Sequence, residues 1–269
     1  MFGLVIAFKN YEVGKGIFQS SWVGLKNFTD FFSSVHFVRV FKNTLLISLY
    51  DLVISFPAAV IFALLLNELK NSMFKKTVQT ITYLPHFISL VVVCGMITDF
   101  FSSDGIITRL LCMLGGKDIN YLGYPQYFKS IYVWTNVWQN VGWDSIIYLA
   151  ALAGVNTELY EAAKVDGANR FRQLITVTIP GIAPTIAIML ILKIGQMMSV
   201  GYEKIILLYN QSTYETADVI SSFVYRRGLG ESAQYSYSAA VGMFQSVINF
   251  VLLLSANHFS SKYADTSLF

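Results

Sequence analysis

The sequence predicts an all-α polytopic membrane protein, and three observations support this. Of the 269 residues, 55% are hydrophobic and only 13% are charged, whereas a soluble domain carries about 25% charged residues. The mean hydropathy is +0.54. Several apolar segments reach the roughly 20 residues that a helix needs to cross a bilayer. The net charge of +3 is too small to indicate nucleic-acid binding.

The N-terminal stretch MFGLVIAFKN is apolar only as far as Lys9. It is too short to span a bilayer, and it lacks the basic region and small-residue cleavage site of a signal peptide. We interpret residues 1–8 as the tail of a transmembrane helix whose beginning is missing. The sequence leaves open whether Met1 is the true start.

Five further segments are long and apolar enough to span the bilayer: 41–66, 77–101, 130–153, 184–203 and 238–259. Pro57 and Pro85 lie inside the first two, which is tolerated where neighbouring helices satisfy the freed backbone groups. With the N-terminal tail, we expect six helices, the first incomplete, in a single transmembrane domain over residues 1–269.

Alternation of these helices places the connections on two faces of the membrane. The short basic connection 67–76, the segment 154–183 and the C-terminus share one face, and the connections 9–40, 102–129 and 204–237 share the other. Short cytoplasmic loops are usually the basic ones. Here both faces carry many lysines and arginines, so charge alone leaves the orientation open.

The segment 154–183 is polar although apolar runs flank it on both sides. We expect a helix over Leu159–Val165, a turn at Asp166 and Gly167, because glycine accepts positive φ, and a second helix over Ala168–Thr176. Pro180 and Pro184 are expected to end that helix, with Pro184 in the first turn of the next span. Two interpretations remain open from these residues: an amphipathic linker lying on lipid headgroups, or a helix that docks on another protein.

The stretch EAAKVDGANRFRQLITVTIP decides between them by resemblance. Glu-Ala-Ala, a glycine after three further residues, and Ile179-Pro180 about a dozen residues later resemble the EAA motif of binding-protein-dependent ABC importer permeases, with Ile179 where leucine is commoner. The form EAAxxDGA resembles the carbohydrate branch, of maltose and glycerol-phosphate type. GLVIAFKNY, WVGLKNF, NYLGYPQY, SIIYLAAL and ADVISSFVYRRGL resemble a subgroup for oligosaccharides, including uronides and complex glycans.

The resemblance, which covers nearly the whole chain, implies a multi-pass protein of the bacterial plasma (inner) membrane with the ABC type I importer fold. The implied partners are a second homologous permease subunit, two cytoplasmic ATP-binding subunits and an extracytoplasmic solute-binding protein. The chain would form half of the oligosaccharide pathway. The segment 154–183 would contain the cytoplasmic coupling helix, with Glu161 pairing to a basic residue of the ATPase. The implied coupling residues are Glu161, Ala162, Ala163, Asp166, Gly167, Ala168, Arg170 and Phe171.

No catalytic, cofactor or metal site is expected in this chain. The nearest approach to a phosphate-binding loop, LGGKDIN over residues 114–120, lacks the required glycine spacing and the Ser or Thr that would bind magnesium. ATP would therefore be bound by a partner subunit. Cys94 and Cys112 form no CxxC pair, so no zinc or redox motif is expected. His36, His86 and His258 form no HExxH motif, so we interpret these histidines as structural.

Lys193 lies near the expected midplane of its span, where a charge is costly and marks a functional candidate. It either contacts substrate in the translocation path, where it would attract a carboxylated sugar, or forms an interhelical ion pair with Asp51 or Asp144. A self-contained secondary transporter that uses these three residues as an ion relay is the alternative function. Such a transporter normally has inverted repeats, and none is evident.

The first half of the 130–153 segment places side-chain amides at helical spacing among tryptophans. Amides bind sugar hydroxyls and aromatic faces bind sugar C–H patches, whereas Trp134, Trp138 and Trp143 also fit an aromatic belt at the membrane interface. We expect a polar cavity here, with matching residues on the fifth helix. The candidate substrate-path residues are Asn136, Gln139, Asn140, Trp143, Lys193, Gln196 and Tyr202.

Overall fold

The computed structural model describes residues 2–230, 233–264 and 267–268, and almost all of its regular structure is helical. The α-helices are α1 (Gly16–Gln19), α2 (Lys26–Phe32), α3 (Phe37–Glu68), α4 (Ser72–Tyr83), α5 (Leu90–Phe101), α6 (Ile106–Met113), α7 (Pro125–Ala153), α8 (Thr157–Val165), α9 (Arg170–Gln173), α10 (Ile179–Gly195), α11 (Tyr202–Leu208), α12 (Tyr214–Ala217), α13 (Ile220–Leu229) and α14 (Tyr235–Ala264). Short 3₁₀-helices cover Phe2–Phe8, Leu84–Phe87, Tyr121–Gly123 and Gln211–Thr213, and a π-helix covers Leu174–Thr178. The strands β1 (Lys9–Asn10) and β2 (Ser21–Trp22) pair antiparallel.

Four stretches of the described chain are long and apolar enough to cross a membrane: Phe37–Glu68, Leu90–Met113, Arg170–Gly195 and Tyr235–Lys262. The helix α7 has 29 residues and is not among these four. These helices agree with the predicted all-α polytopic class. The N-terminal stretch, predicted to be the tail of a membrane helix, forms the 3₁₀-helix Phe2–Phe8 and leads directly into β1.

The chain divides into two compact units. The first unit contains Met1–Tyr50, Ser89–Val133 and Gln196–Leu252. Its apolar core joins α2, α3, α13 and α14, because the buried side chains come from all four helices and from the turn before α11. These side chains are Phe31, Val40, Met198, Ile220, Phe223 and Val241.

The second unit contains Asp51–Ile88, Trp134–Gly195 and Leu253–Phe269. Its core joins α3, α7 and α10 through Ala59, Ala63, Tyr148, Leu152 and Ile182. The two alanines of α3 are small, which lets helices approach closely in a membrane protein. This unit contains the predicted coupling residues and most of the predicted substrate-path residues.

The predicted span 77–101 is wrong as a continuous helix. The helix α4 ends at Tyr83, the 3₁₀-helix follows, and Ile88 has an extended backbone before α5 begins at Leu90. Proline has no N–H to donate and its ring clashes with the preceding turn, so Pro85 marks the break.

The prediction that Pro180 and Pro184 end a helix is also wrong. The helix α10 begins at Ile179 and contains Pro184 in its interior. The π-helix ends at Thr178, two residues before Pro180, and the Ile179 N–H bonds to the Leu174 carbonyl five residues earlier. This wide turn replaces the α-helical pattern that a proline would disrupt. The predicted span 184–203 ends early, at Gly195.

Candidate functional site

A chain of polar contacts links α3, α7 and α10 within the second unit. It begins at Lys193 of α10, whose Nζ lies 3.0 Å from Oδ2 of Asp51 on α3. The Lys193 side chain is 38% exposed and that of Asp51 is 14% exposed. The interhelical ion pair expected as one alternative for Lys193 is therefore present, and its partner is Asp51.

Asp51 accepts two further hydrogen bonds through Oδ1. Ser55, one turn along α3, donates through Oγ at 2.6 Å, and Asn136 of α7 donates through Nδ2 at 2.7 Å. A carboxylate buried in a membrane protein must be paired and hydrogen-bonded to be tolerated. Asp51 meets this requirement through three side chains from three positions in the unit.

The contacts continue along one face of α7. Asn140 donates through Nδ2 to Oδ1 of Asn136 at 2.8 Å, and its own Oδ1 lies 3.0 Å from Nδ1 of His86. For that amide oxygen to accept, His86 must carry a proton on Nδ1. The His86 ring stacks on Trp143, with centroids 4.5 Å apart and an interplanar angle of 4°.

Sequence reasoning missed His86 as a member of this site. A lone histidine in an apolar stretch is usually structural, and the one signal was its position directly after the helix-breaking Pro85. The turn that Pro85 imposes separates His86 from α4, and in this turn the imidazole lies against α7.

The remaining candidate residues fall in different places. Gln139 is buried on α7 in the second unit. Gln196 and Tyr202 belong to the first unit, where Gln196 lies in the turn after α10 and Tyr202 begins α11. The expectation that both extend the fifth helix is wrong, because α10 ends at Gly195. Tyr202 stacks on Tyr225 with ring centroids 5.4 Å apart.

The polar chain has one ion pair, Lys193 with Asp51, at one end. The stacked rings of His86 and Trp143 lie at the other end, and the amides of Asn136 and Asn140 lie between them. The ammonium group of lysine has three N–H donors, and only one contact to a carboxylate is needed to pair Asp51. The exposed part of Lys193 retains donors that suit a carboxylate, and the partly buried amides of Asn136 and Asn140 suit hydroxyl groups. Trp143, which is 42% exposed, offers an aromatic face.

The EAA residues form a short helix that ends in a sharp turn. Asn156 caps α8 by accepting from the Glu158 N–H at 2.9 Å. At the other end the Ala168 N–H bonds to the Ala163 carbonyl and the Gly167 N–H to the Lys164 carbonyl, at 2.9 and 3.1 Å. This is the Schellman arrangement that ends helices at a left-handed residue, and Gly167 has a φ of 79°.

The outer surface of α8 and α9 is exposed, including its large apolar side chains. Val165 is 88% exposed and Phe171 is 70% exposed. Glu161, Ala162 and Asp166 are exposed, whereas Ala163 and Ala168 are partly buried. Arg170 lies 3.4 Å from Glu68 at the end of α3, and the Tyr160 hydroxyl lies 3.0 Å from that of Thr178 in the π-helix. The segment is therefore attached to the helices on its inner side.

Comparison with known proteins assigns the family. The family described as binding-protein-dependent transport system inner membrane component matches residues 38–265. The chain is 41% identical over 270 residues to Protein LplB of Bacillus subtilis (strain 168). This alignment covers 100% of this chain and 85% of LplB. The chain is equally 41% identical over 270 residues to the polygalacturonan/rhamnogalacturonan transport system permease protein YteP of the same organism, covering 100% of this chain and 84% of YteP.

Solved structures agree in fold. A chain in the crystal structure of a bacterial alginate ABC transporter, in complex with an alginate pentasaccharide-bound periplasmic protein, matches with a TM-score of 0.90 and 42% identity, covering 100% of this chain and 89% of that chain. A chain from a bacterial ABC transporter involved in the import of the acidic polysaccharide alginate matches with a TM-score of 0.89 and 43% identity, covering 98% and 88%. The chain belongs to the binding-protein-dependent transport system inner membrane components, in their carbohydrate branch, and is the multi-pass permease subunit, not an enzyme, of a bacterial ABC importer.

Proposed function

We propose that this permease imports oligosaccharides of acidic, uronate-containing polysaccharides. The observation that carries the proposal is the substrate class of its relatives: the two solved transporters act on alginate, and YteP is named for polygalacturonan and rhamnogalacturonan. These polymers share carboxylate groups on their sugar rings. The relatives match this chain over 98% or more of its length.

The polar chain of the second unit supports an acidic substrate. Lys193 is partly exposed although it is paired with Asp51, so its ammonium group can contact a passing carboxylate without leaving Asp51. Asn136, Asn140 and Trp143 lie together on α7. The two amides can bond to sugar hydroxyl groups, and the tryptophan ring can pack against a sugar ring. We assign substrate contact to these four residues and to His86, and we retain Gln139, Gln196 and Tyr202 as further candidates.

We also propose that the segment from α8 to α9 is the coupling helix for a cytoplasmic ATPase. Its exposed Glu161, Val165 and Phe171 offer one charge and two apolar contacts to a partner, and the contacts of Arg170 and Tyr160 connect it to α3 and the π-helix. The complete importer would contain a second homologous permease, two ATPase subunits and a solute-binding protein. This chain would form one transmembrane domain with six membrane helices in the ABC type I importer fold.

The ion-relay alternative is set aside. Membership of the binding-protein-dependent family assigns the energy source to an ATPase, and Lys193 is engaged by Asp51 in an interhelical pair. Asp144, the third residue of the supposed relay, is exposed on α7.

A substrate comparison tests the proposal. The permease is reconstituted in proteoliposomes with its partner permease, ATPase and solute-binding protein, and uptake is measured for an oligouronate and for the same oligomer after chemical reduction of its carboxyl groups. We expect uptake of the acidic oligomer and little uptake of the reduced one. Equal uptake of both, or uptake of the reduced oligomer alone, would contradict the proposal.

The coupling assignment is tested with charge variants of α8. Glu161→Lys is expected to abolish the ATP hydrolysis that loaded binding protein stimulates, without lowering thermal stability. Glu158→Lys, one turn earlier on the same exposed helix, is the matched control. Stimulated hydrolysis that survives in Glu161→Lys would refute the role of Glu161.

A further inference from the structure

We propose a second sugar site, in the first unit, that receives the oligosaccharide before it reaches the membrane helices. We call it the hairpin pocket, after the neighbouring hairpin of β1 and β2, and its polar and aromatic lining includes Asn10, Tyr11, Lys26, Asp30, Gln234 and Tyr235. The inference rests on the proposed function, because it names a further binding site for the same acidic oligosaccharide.

The hairpin pocket has a volume of about 420 Å³, within the roughly 300–1,000 Å³ of small-molecule sites. Three parts of the chain form it: the end of β1, one side of α2, and the chain that leads into α14. Its mouth is open, as suits a site that holds one end of a longer chain.

Hydrogen bonds fix the walls of the hairpin pocket. The Tyr11 N–H donates to the Ser236 hydroxyl at 2.9 Å, which ties the β1 side to the start of α14. The Asn27 side chain donates to the carbonyls of Ala7 and Lys9 at 2.8 and 3.2 Å, which ties α2 to the chain around β1. The pocket is therefore held open by its own framework, and preorganisation of this kind lowers the cost of binding.

Two tyrosines give the pocket an aromatic wall. The rings of Tyr11 and Tyr235 meet edge to face with centroids 5.9 Å apart and an interplanar angle of 79°. In this arrangement the face of one ring stays uncovered by the other, and Tyr235 is 40% exposed. Such a face packs against the C–H patch of a sugar ring, and each hydroxyl group of the tyrosines can bond to a sugar hydroxyl.

The charged groups suit a uronate better than a neutral sugar. Lys26 and Asp30 lie one helical turn apart on α2, and both are exposed. Neither takes part in the salt bridges found among the described residues. Lys26 provides a cation for a sugar carboxylate, and Asp30 accepts bonds from sugar hydroxyls, as do the amide groups of Asn10 and Gln234.

The topology of α3 places the hairpin pocket on the side where substrate arrives. A single 32-residue helix that crosses the bilayer leaves the chain before it and the chain after it on opposite faces. Lys26 and Asp30 precede α3, whereas Glu68 ends α3 beside Arg170 of the coupling segment. With the coupling segment in the cytoplasm, the pocket is extracytoplasmic.

Direct binding tests the proposal. The complete transporter is placed in nanodiscs without its solute-binding protein, and binding of a fluorescently labelled oligouronate and of its carboxyl-reduced form is followed by anisotropy. Lys26→Gln is expected to weaken binding of the acidic oligomer by about five- to tenfold, the effect of one charge-assisted hydrogen bond, and to leave the reduced oligomer unaffected. Tyr235→Ala is expected to weaken both.

Lys15→Gln is the matched control, since Lys15 is an exposed lysine in the connection between β1 and β2 and pairs with Glu12. Thermal unfolding of each variant checks that the fold is kept. The proposal is overturned if wild type binds no free oligomer. It is also overturned if Lys26→Gln binds the oligomer normally and instead raises the concentration of loaded binding protein that is needed to stimulate ATP hydrolysis. That second result would make the pocket a protein-docking surface.

The two proposals fail in different ways. If the pocket variants lose binding but the importer carries reduced oligomers as well as acidic ones, the hairpin pocket stands and the acidic substrate class is wrong. If uptake is specific for acidic oligomers and Lys26→Gln binds them normally, the substrate class stands and the hairpin pocket is wrong.

Discussion

The Nζ of Lys193 and Oδ2 of Asp51 lie 3.0 Å apart, and this contact joins α10 to α3 in the second unit. Lys193 neutralises a carboxylate that is largely buried and that also accepts bonds from Ser55 and Asn136. The lysine therefore has a structural role in addition to the substrate contact that we assign to it. A single substitution of Lys193 mixes the two roles.

Lys193→Met is expected to destabilise the permease by about 1–3 kcal/mol, because it leaves the Asp51 carboxylate without a cation. The loss is smaller than for a fully buried pair, since the Lys193 side chain is 38% exposed. The double variant Asp51→Asn with Lys193→Met is expected to recover most of this stability, as measured by thermal unfolding in detergent. A double variant no more stable than Lys193→Met would contradict the assigned pairing.

The double variant also separates the two roles in transport. If Lys193 contacts the sugar carboxylate, the double variant is expected to have a lower ratio of acidic to reduced oligomer uptake than wild type, although its stability is recovered. An unchanged ratio of acidic to reduced oligomer uptake would show that Lys193 serves the ion pair alone.

Gly167 is expected to tolerate asparagine better than valine. Its φ of 79° costs a side chain about 1–2 kcal/mol, and β-branched residues are poorest in this conformation while asparagine is among the best. No atom lies within 4 Å of a Cβ built at this position, so any defect comes from the turn and not from a clash. Gly167→Val should lower stimulated ATP hydrolysis and uptake together, and Gly167→Asn should retain most of both. Equal activity of the two variants would refute a requirement for the left-handed turn.

Gly142 is required for close packing of α7 on the chain before Pro85. A Cβ at this position would overlap the Thr82 carbonyl, whose carbon would lie 2.6 Å away. Because backbone cannot move aside cheaply, we expect Gly142→Ala to cost about 1–3 kcal/mol and to lower the unfolding temperature. Gly242→Ala in α14 is the matched control, since nothing lies within 4 Å of its Cβ. A wild-type unfolding temperature for Gly142→Ala would be inconsistent with this packing.

His36 is expected to make the first unit sensitive to acid. Partial burial, and then the Arg39 guanidinium 3.2 Å from Nδ1, lower the pKa of His36 from its ordinary value of 6.5. The unfolded chain therefore takes up this proton at a higher pH than the folded chain, and stability falls as the pH drops below about 6.5, until the folded form is protonated too. His36→Gln should flatten this part of the profile of unfolding temperature against pH. An unchanged slope would show that His36 does not contribute.

The sequence was informative where chemistry is local. The turn at Gly167 follows from the tolerance of glycine for positive φ, and the structure places it as expected. The expense of a charge in an apolar span indicated that Lys193 either contacts substrate or pairs with Asp51 or Asp144, and the structure shows the pair with Asp51. Both inferences need only the residue types and their distance along one or two helices.

The prolines show where such reasoning stops. Pro85 interrupts a predicted span, whereas Pro184 lies inside a continuous helix, although both stand in apolar surroundings. The difference depends on hydrogen bonds in the neighbouring turns, above all the π-helix before Pro180, and hydropathy contains no information on these. For the same reason the position of His86 against Trp143 could not be predicted: it depends on the turn that follows the break.

The π-helix Leu174–Thr178 determines which face α10 presents to its neighbours, because α10 follows it directly. It holds one residue more per closed ring than an α-helix does, and one residue corresponds to about 100° of rotation about the helix axis. If Leu174–Thr178 rewound to α-helical bonding, the face that α10 presents would turn by about that angle relative to α9. Lys193 would then point away from Asp51. The 3.0 Å contact between Lys193 and Asp51 therefore reports the rotation of α10 about its own axis. A measurement of the distance between these two positions during the ATP cycle would show whether α10 rotates about this axis or moves without rotating.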